Sequence, residues 1–482
     1  MSNNQNQNNS GWKTLIILSC LGIIVMFDET MILPAIPDFV RNFAISYSTS
    51  SWLLSAYIIA AAVMTPIAGR LSDIFGKKKM LLIVMAVYTV GVLSGRFATN
   101  IEFMLFARAL QGVGMSMFPI AFGIIRESLP EKKFATGQTI FGATFPAGAI
   151  IGLVGGAAII QNFGWQATFL AIVPFAIALW LVILKFMPVS KPTPSGESSA
   201  PVDKSIDIKG TLLLAVTIVS FLSGITFLQS KEIGFYVVGL FIVSAISLAA
   251  FIMTEKRTKM PLLDLKLMSN RNFLPSTMIM MLVFLSIFTV YLTIPVMVRS
   301  PVPLGFGGDA LAVANVQLPF MVVFLITTVI SGFILNKVKN TTITLIGTSI
   351  ATIGFFLLVM FHSSELMVSI GLTVLAAGLS LSIAGGFNVI LVSVPMQMTG
   401  IALGMTLLLD LVGMSIGPVF AGIFQDTYRG TISGVTGEFP TETAYVAIFV
   451  AAAIISLSSV ILSIVVNRKN NSPTEVESLQ EK

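Results

Sequence analysis

Fourteen predominantly apolar stretches, each about 20 residues or longer, follow one another along this 482-residue chain, and a run of that length is what an α-helix needs to cross a bilayer core. Hydrocarbon offers no water to unpaired N–H and C=O groups, so spanning segments must satisfy their own backbone, which continuous apolar runs do as helices. The runs cover 13–34, 50–69, 79–98, 103–125, 136–160, 167–187, 209–228, 235–254, 273–297, 312–335, 342–361, 366–394, 399–423 and 443–466. With 55% hydrophobic and 10% charged residues, too little polar surface remains for a soluble globule. The fold class is all-α and polytopic.

The first run is not a cleaved signal, because it is too long, carries Asp28 and Glu29, and lacks a small-residue cleavage pattern. The Asn/Gln/Ser-rich opening, residues 1–12, is expected to be a disordered tail. Placing both termini in the cytoplasm puts 22 of the 28 Lys and Arg on the inner side, five outside (Arg41, Arg96, Lys231, Arg299 and Arg429) and Arg108 within a span. That asymmetry fixes the orientation, and an even number of spans agrees with it. The localisation that follows is multi-pass in the cytoplasmic membrane. Inner-leaflet anchoring accounts for the net charge of +6, so no nucleic-acid partner is required. One cysteine, Cys20, and one histidine, His362, exclude a disulfide framework and a conventional zinc site. No phosphate-binding loop and no His/Cys/Ser constellation occurs, so neither a metal, a nucleotide cofactor nor an enzyme activity is expected.

Pro188 to Ser205 is Pro/Ser-rich and almost free of apolar residues, and it opens a cytoplasmic linker, 188–208, between two bundles. The chain repeats itself weakly across that linker. Gly69 with Asp73 is echoed by Gly332 with Asn336, Gly114-Met-Ser-Met by Gly378-Leu-Ser-Leu, and Ile151 to Gly156 by Gly417 to Gly422, at offsets of 263, 264 and 266 residues. Parallel halves follow: six spans in 13–187, six in 273–466, two inserted spans in 209–254, a cytoplasmic loop at 255–272 and a tail at 467–482. Gln425 to Thr443, between the last two spans, is either a hairpin or a plain solvated loop.

A charge near the bilayer centre costs about 2.5–3.5 kcal/mol on insertion scales, which singles out Asp28, Glu29, Arg108 and Asp410. Asp28 and Glu29 are helix neighbours whose side chains diverge by about 100°; Asp28 is the favoured inward acid, with Glu29 at the outer interface as the plainer alternative. Arg108 shares a face with Gln111, Gly112 and Met115. It either bridges backbone carbonyls or stands near a carboxylate, where a fixed positive charge favours the ionised acid and desolvation opposes it. Asp410 lies on one stripe with Gly413, Met414 and Gly417, next to Pro418, and is either a second proton or cation site or a packing aspartate. The glycines of that stripe, and Gly148, Gly152, Gly155 and Gly156 on span five, permit close helix approach and a pliable gate. Between spans two and three, Gly69-Arg70-Leu71-Ser72-Asp73-Ile74-Phe75-Gly76-Lys77-Lys78-Lys79 is expected to be a tight basic turn, serving as a cytoplasmic anchor or as a conformational latch through Asp73.

Several of these motifs, in order, resemble the fourteen-span drug:proton antiporter family of the major facilitator superfamily, from Lys13 to Asn467. Phe27-Asp28-Glu29-Thr30 with Pro34-Ala-Ile-Pro37 resembles the family's helix-one signature. Gly69 to Lys79 resembles its switch loop, and Arg108-Ala-Leu-Gln-Gly-Val-Gly114 its helix-four motif. Phe163 to Pro174 is similar to the stretch entering helix six, and Asp410 to an acidic position of some relatives on helix thirteen. The resemblance implies the major facilitator fold and a proton-driven antiporter exporting hydrophobic neutral or cationic compounds. It implies no cofactor beyond the proton gradient, partners limited to substrate, protons and lipid, and a monomer. In it Asp28, Glu29, Arg108, Gln111 and Asp410 serve coupling or binding, and Gly69, Arg70, Asp73, Gly76 and Lys77 the switch. The departure is on helix five, where the expected Gly-Pro is replaced by Ile151-Gly152; it bears on direction more than on fold. The alternatives are a dedicated transporter of an endogenous metabolite, lipid or siderophore, possible as a proton symporter, and a non-transporting membrane sensor of the same fold.

Overall fold

The computed structural model describes residues 2–130, 133, 137, 140–187, 208–228, 234–258, 267–270, 272–335, 337–394 and 399–471. Fourteen of its helices or near-continuous helical segments are long and apolar enough to cross a membrane, as the sequence predicts. The first half comprises α1 (Ser2–Met31), α2 (Ile36–Asn42), α3 (Tyr47–Phe75), α4 (Lys77–Arg96), α5 (Ile101–Gly112), α6 (Met117–Ser128), α7 (Thr144–Phe163) and α8 (Trp165–Phe186). The inserted pair is α9 (Ile208–Phe227) and α10 (Phe235–Glu255). The second half comprises α11 (Phe273–Tyr291), α12 (Thr293–Arg299), α13 (Ala310–Ile334), α14 (Asn340–Met360), α15 (Glu365–Val392), α16 (Thr399–Thr427) and α17 (Glu442–Asn471).

Several boundaries differ from expectation for local reasons. The opening residues are not a free tail: α1 starts at Ser2, because extending a helix already nucleated by an apolar span fixes one residue per added hydrogen bond. Span one is interrupted after Met31 by a short 3-10 segment, Leu33–Ala35, before α2, where Pro34 and Pro37 supply no N–H to a continuous ladder. The basic run is no extended turn. Helix α3 continues through Gly69 to Phe75, and the break is Gly76 alone, at φ 94, a conformation that only glycine adopts without strain. The segment after Tyr428 takes the hairpin form: β1 (Arg429–Ile432) pairs antiparallel with β2 (Val435–Pro440) around Gly434 at φ 84. Most of the expected linker 188–208, and positions 259–266 and 271 of the loop 255–272, lie outside the described residues.

The same neighbour pairs recur in the two halves. In the first, α1 packs on α7 and α8, α5 on α3 and α4, and α4 on α8; in the second, α11 packs on α16 and α17, α15 on α13 and α14, and α14 on α17. Small residues permit the closest approaches. A Cβ at Gly148 would meet the Ile23 backbone at 2.9 Å, at Gly152 the Phe27 Cα at 2.7 Å, and at Gly156 the Met31 Cα at 2.7 Å. This four-residue stripe lets α7 lie directly on α1. Gly155 is off the stripe and meets only the Phe27 ring, at 3.4 Å. In the second half Gly417 plays the same part, with the Thr289 nitrogen of α11 2.6 Å from its would-be Cβ.

The halves meet along α3 with α16 and along α7 with α13, and α9 lies against both α3 and α16. The two ends of these seams differ. Lys77, Lys78, Lys79, Arg126, Lys185, Lys209, Lys337 and Lys339 mark one end, called here the basic end, and there a Cβ at Gly69 on α3, Gly142 just before α7, Gly332 on α13 or Gly404 on α16 would touch nothing within 4 Å. The opposite end is tied shut between halves. Arg299 on α12 pairs with Asp38 on α2 through contacts of 2.5 and 2.9 Å and donates to the Pro34 carbonyl at 2.7 Å, while the Asp426 carboxylate at the end of α16 accepts from the Ser48 amide of α3 at 3.0 Å. The ties between the halves named here therefore lie at the end opposite the basic one.

Candidate functional site

Helix α5 positions Arg108 and Gln111 one turn apart, and both are fully buried. Arg108 Nε donates to the Leu53 carbonyl of α3 at 3.0 Å and Nη1 to Gln111 Oε1 at 2.7 Å. Gln111 Nε2 in turn donates to the Gly91 carbonyl of α4 at 3.0 Å. The guanidinium lies over the Tyr57 ring, 4.4 Å from its centroid, a favourable seat for a cation. This second bond and the ring fix the guanidinium in one orientation, toward α1.

Asp28 of α1 is what it faces. Its Oδ2 stands 3.8 Å from Arg108 Nη1, with both side chains at 0% exposure. Neither Asp28 oxygen has a hydrogen-bond partner among the described residues, and the same holds for Arg108 Nη2 and the Tyr57 hydroxyl. At this separation the attraction is about 4 kcal/mol for an effective dielectric of 20, comparable with the several kcal/mol per ion lost on burial. With two ions buried, the attraction offsets only part of the cost, and the Asp28 lone pairs stay free for a proton or a ligand donor. Both alternatives for Arg108 are realised together: it bridges a backbone carbonyl and faces a carboxylate.

Glu29 is also buried, at 6% exposure, rather than at an exposed interface. It lies within electrostatic reach of Arg108 and, across the halves, of Tyr291 on α11. Asp410 is not part of this cluster. It is 2% exposed, and both its oxygens lack hydrogen-bond partners. One turn on, Gly413 presses against α11, where its would-be Cβ is 3.3 Å from the Leu285 nitrogen. Asp410 lies about 24 Å from Asp426 along the continuous helix α16. Pro418 sits inside α16 one residue beyond Gly417.

Lys77 and Lys78 of the basic run contact other helices of the first half. Lys77 pairs with Glu127 at the end of α6, and its alkyl chain covers Gly123, whose would-be Cβ lies 2.7 Å from the Lys77 Cε. Lys78 donates to the Leu184 and Met187 carbonyls, at 2.9 and 2.6 Å, capping the C-terminus of α8. Arg70 is on the last turns of α3, half-buried. The side chain of Asp73, on which the latch expectation rests, lies outside the described residues. Sequence reasoning missed Tyr57, Tyr291, Gln317 and the Asp38–Arg299 pair; only Asp38, beside the Pro34 and Pro37 breaks, carried a local signal.

The family model described as Major Facilitator Superfamily matches residues 18–418. "Multidrug resistance protein 3" of Bacillus subtilis (strain 168) is 26% identical over 352 residues, 72% of this chain and 66% of that protein, so the match spans just under two thirds of that relative's length. "Multidrug efflux pump LfrA" of Mycolicibacterium smegmatis is 25% identical over 443 residues, 90% of this chain and 85% of that protein. Among solved structures, the POT family transporter PepTSo superposes with a TM-score of 0.67 over 95% of this chain and 98% of its own, at 12% identity, a likeness of fold alone. With its six-plus-two-plus-six helices and the family match along most of its length, the chain belongs to the major facilitator superfamily and is of the fourteen-span kind.

Proposed function

We propose that this transporter is a proton-coupled antiporter that exports hydrophobic neutral or cationic compounds across the cytoplasmic membrane by alternating access. The observation that carries the reading is the Asp28–Arg108 pair, fully buried at 3.8 Å with both carboxylate oxygens free of hydrogen bonds. A buried carboxylate held so loosely is poised to exchange a proton for a cation. The relatives named as multidrug resistance and efflux proteins support the substrate class.

In this reading the basic end faces the cytoplasm, both termini lie there, and the protein acts as a monomer without a cofactor, drawing on the proton gradient. With the basic end open, a deprotonated acid accepts a substrate from the cytoplasm or inner leaflet. Rocking of the halves breaks the Asp38–Arg299 tie and opens the far end, where a proton from outside neutralises the acid and the substrate leaves. Proton and substrate compete because one carboxylate serves both. A net charge moving through 100 mV is worth about 2.3 kcal/mol, enough for a roughly 50-fold substrate gradient. Family and site give no ground for an enzyme activity in this reading.

The test is accumulation of a fluorescent lipophilic cation by proteoliposomes holding the full chain under an imposed pH gradient. Uptake that follows the gradient and collapses with a protonophore supports the proposal; uptake indifferent to the gradient refutes the coupling.

A further inference from the structure

Between α11, α13 and α15 the wall of the second half holds a small recess lined by Tyr291, Ile294, Gln317, Phe320, Met321 and Leu372. It has room for about one water-sized group in this state, too little for a whole lipophilic molecule or a methylated amine head and about the size of a primary ammonium. Gln317 is 4% exposed and its Oε1 accepts no hydrogen bond among the described residues. An amide oxygen stranded among aliphatic and aromatic side chains is unfavourable unless a donor reaches it. Gln317 lies about 12 Å inward of Asp309, the residue capping the outer end of α13. The recess shares Tyr291 with the electrostatic reach of Glu29. An unpaired acceptor and two aromatic rings thus line one recess, with Glu29 within electrostatic reach of one of those rings.

We propose that this recess is a head-group subsite for N–H-bearing ammonium substrates, in which Gln317 Oε1 accepts the hydrogen bond from the ammonium. Tyr291 and Phe320 stand beside the cation, Glu29 supplies a longer-range countercharge, and the apolar body of the substrate lies between the halves. The assignment rests on the export reading above and adds a discrimination to it. Protonated amines satisfy Gln317, whereas permanently quaternary ammonium ions bring no N–H and leave it stranded, which is how a hydrogen-bonding site rejects an analogue lacking the donor.

The test compares a tricyclic primary amine, didesmethylimipramine, in its protonated form, with its N,N,N-trimethyl quaternary salt, as radioligands binding to the purified full-length protein. Gln317→Met keeps length and removes the acceptor; Gln317→Glu keeps the acceptor. The native protein should prefer the primary amine. Gln317→Met should weaken the amine about tenfold while leaving the quaternary salt within about twofold, so that retained quaternary binding also certifies the fold. Gln317→Glu should retain amine binding. Equal weakening of both probes, or no change in either, overturns the subsite while the export reading stands. If the native protein binds neither probe, the export reading fails and the subsite with it.

Discussion

Replacing Arg299 with Gln should unlock the end of the transporter that is closed here. The Arg299 and Asp38 side chains are 17% and 10% exposed and meet through two short contacts, and Arg299 also reaches the Pro34 carbonyl. The pair joins α2 of the first half to α12 of the second, so it exists only while that end is shut. Asp38 retains Arg41 at 3.1 Å, but that arginine is 77% exposed and an exposed pair is worth about 0–1 kcal/mol. Loss of a largely buried, bidentate pair should remove about 2–3 kcal/mol from the closed state, which lies above the exposed-pair range and below the 3–5 kcal/mol of a fully buried one. That corresponds to a shift of about 30- to 140-fold in the ratio of the two states. Spin labels at the exposed ends of α5 and α15, at Glu102 and Leu366 in a Cys20→Ser background, report the separation of the halves at that end. Arg299→Gln should broaden the distance distribution toward longer values, Asp38→Asn should do the same, and the double variant should add little to either. An unchanged distribution, or fully additive effects, would refute a clamp.

Arg108→Met leaves Asp28 buried with no countercharge, and should cost about 3–5 kcal/mol, read as a large loss of thermal stability in detergent; adding Asp28→Asn should recover much of it. Arg108→Lys should not substitute, because a point charge cannot bond Leu53 and Gln111 together while lying over Tyr57. On α7, Gly152→Ala should destabilise by about 1–3 kcal/mol through its approach to Phe27, whereas Gly155→Ala and Gly69→Ala should be tolerated in the same melting assay. Lys78→Met should lower stability by about 0.3–1 kcal/mol through the lost cap on α8, and leave substrate affinity unchanged.

Span number and helix class were legible because bilayer thickness imposes one length on every crossing segment, and the chain has no means of hiding that pattern. Arg108 and Gln111 were legible together because an i, i+3 spacing puts them on one helix face. What pairs with them was not, since Leu53, Tyr57 and Asp28 arrive from other helices and leave no periodic trace. The small-residue stripe at Gly148, Gly152 and Gly156 could be read as packing, with the four-residue spacing setting Gly155 apart, but the helix it packs on, α1, appears only in the structure. The basic run was misjudged because its polar side chains suggested a turn, while a helix emerging from the membrane carries such residues to Phe75 and needs just Gly76 to stop. Arg299 stood as one more outer base until its partner, some 260 residues away in sequence, was brought beside it.

The coupling role of Asp28 can be isolated by comparing two modes of the same variant. In proteoliposomes, Asp28→Asn is assayed for exchange of labelled against unlabelled hydrophobic neutral compound, which does not need the carboxylate as a countercharge, at equal pH, and for its accumulation driven by a pH gradient. The account predicts that exchange persists while gradient-driven accumulation is lost, because the halves still rock but no proton is carried. Accumulation by Asp28→Asn matching the native protein would contradict it.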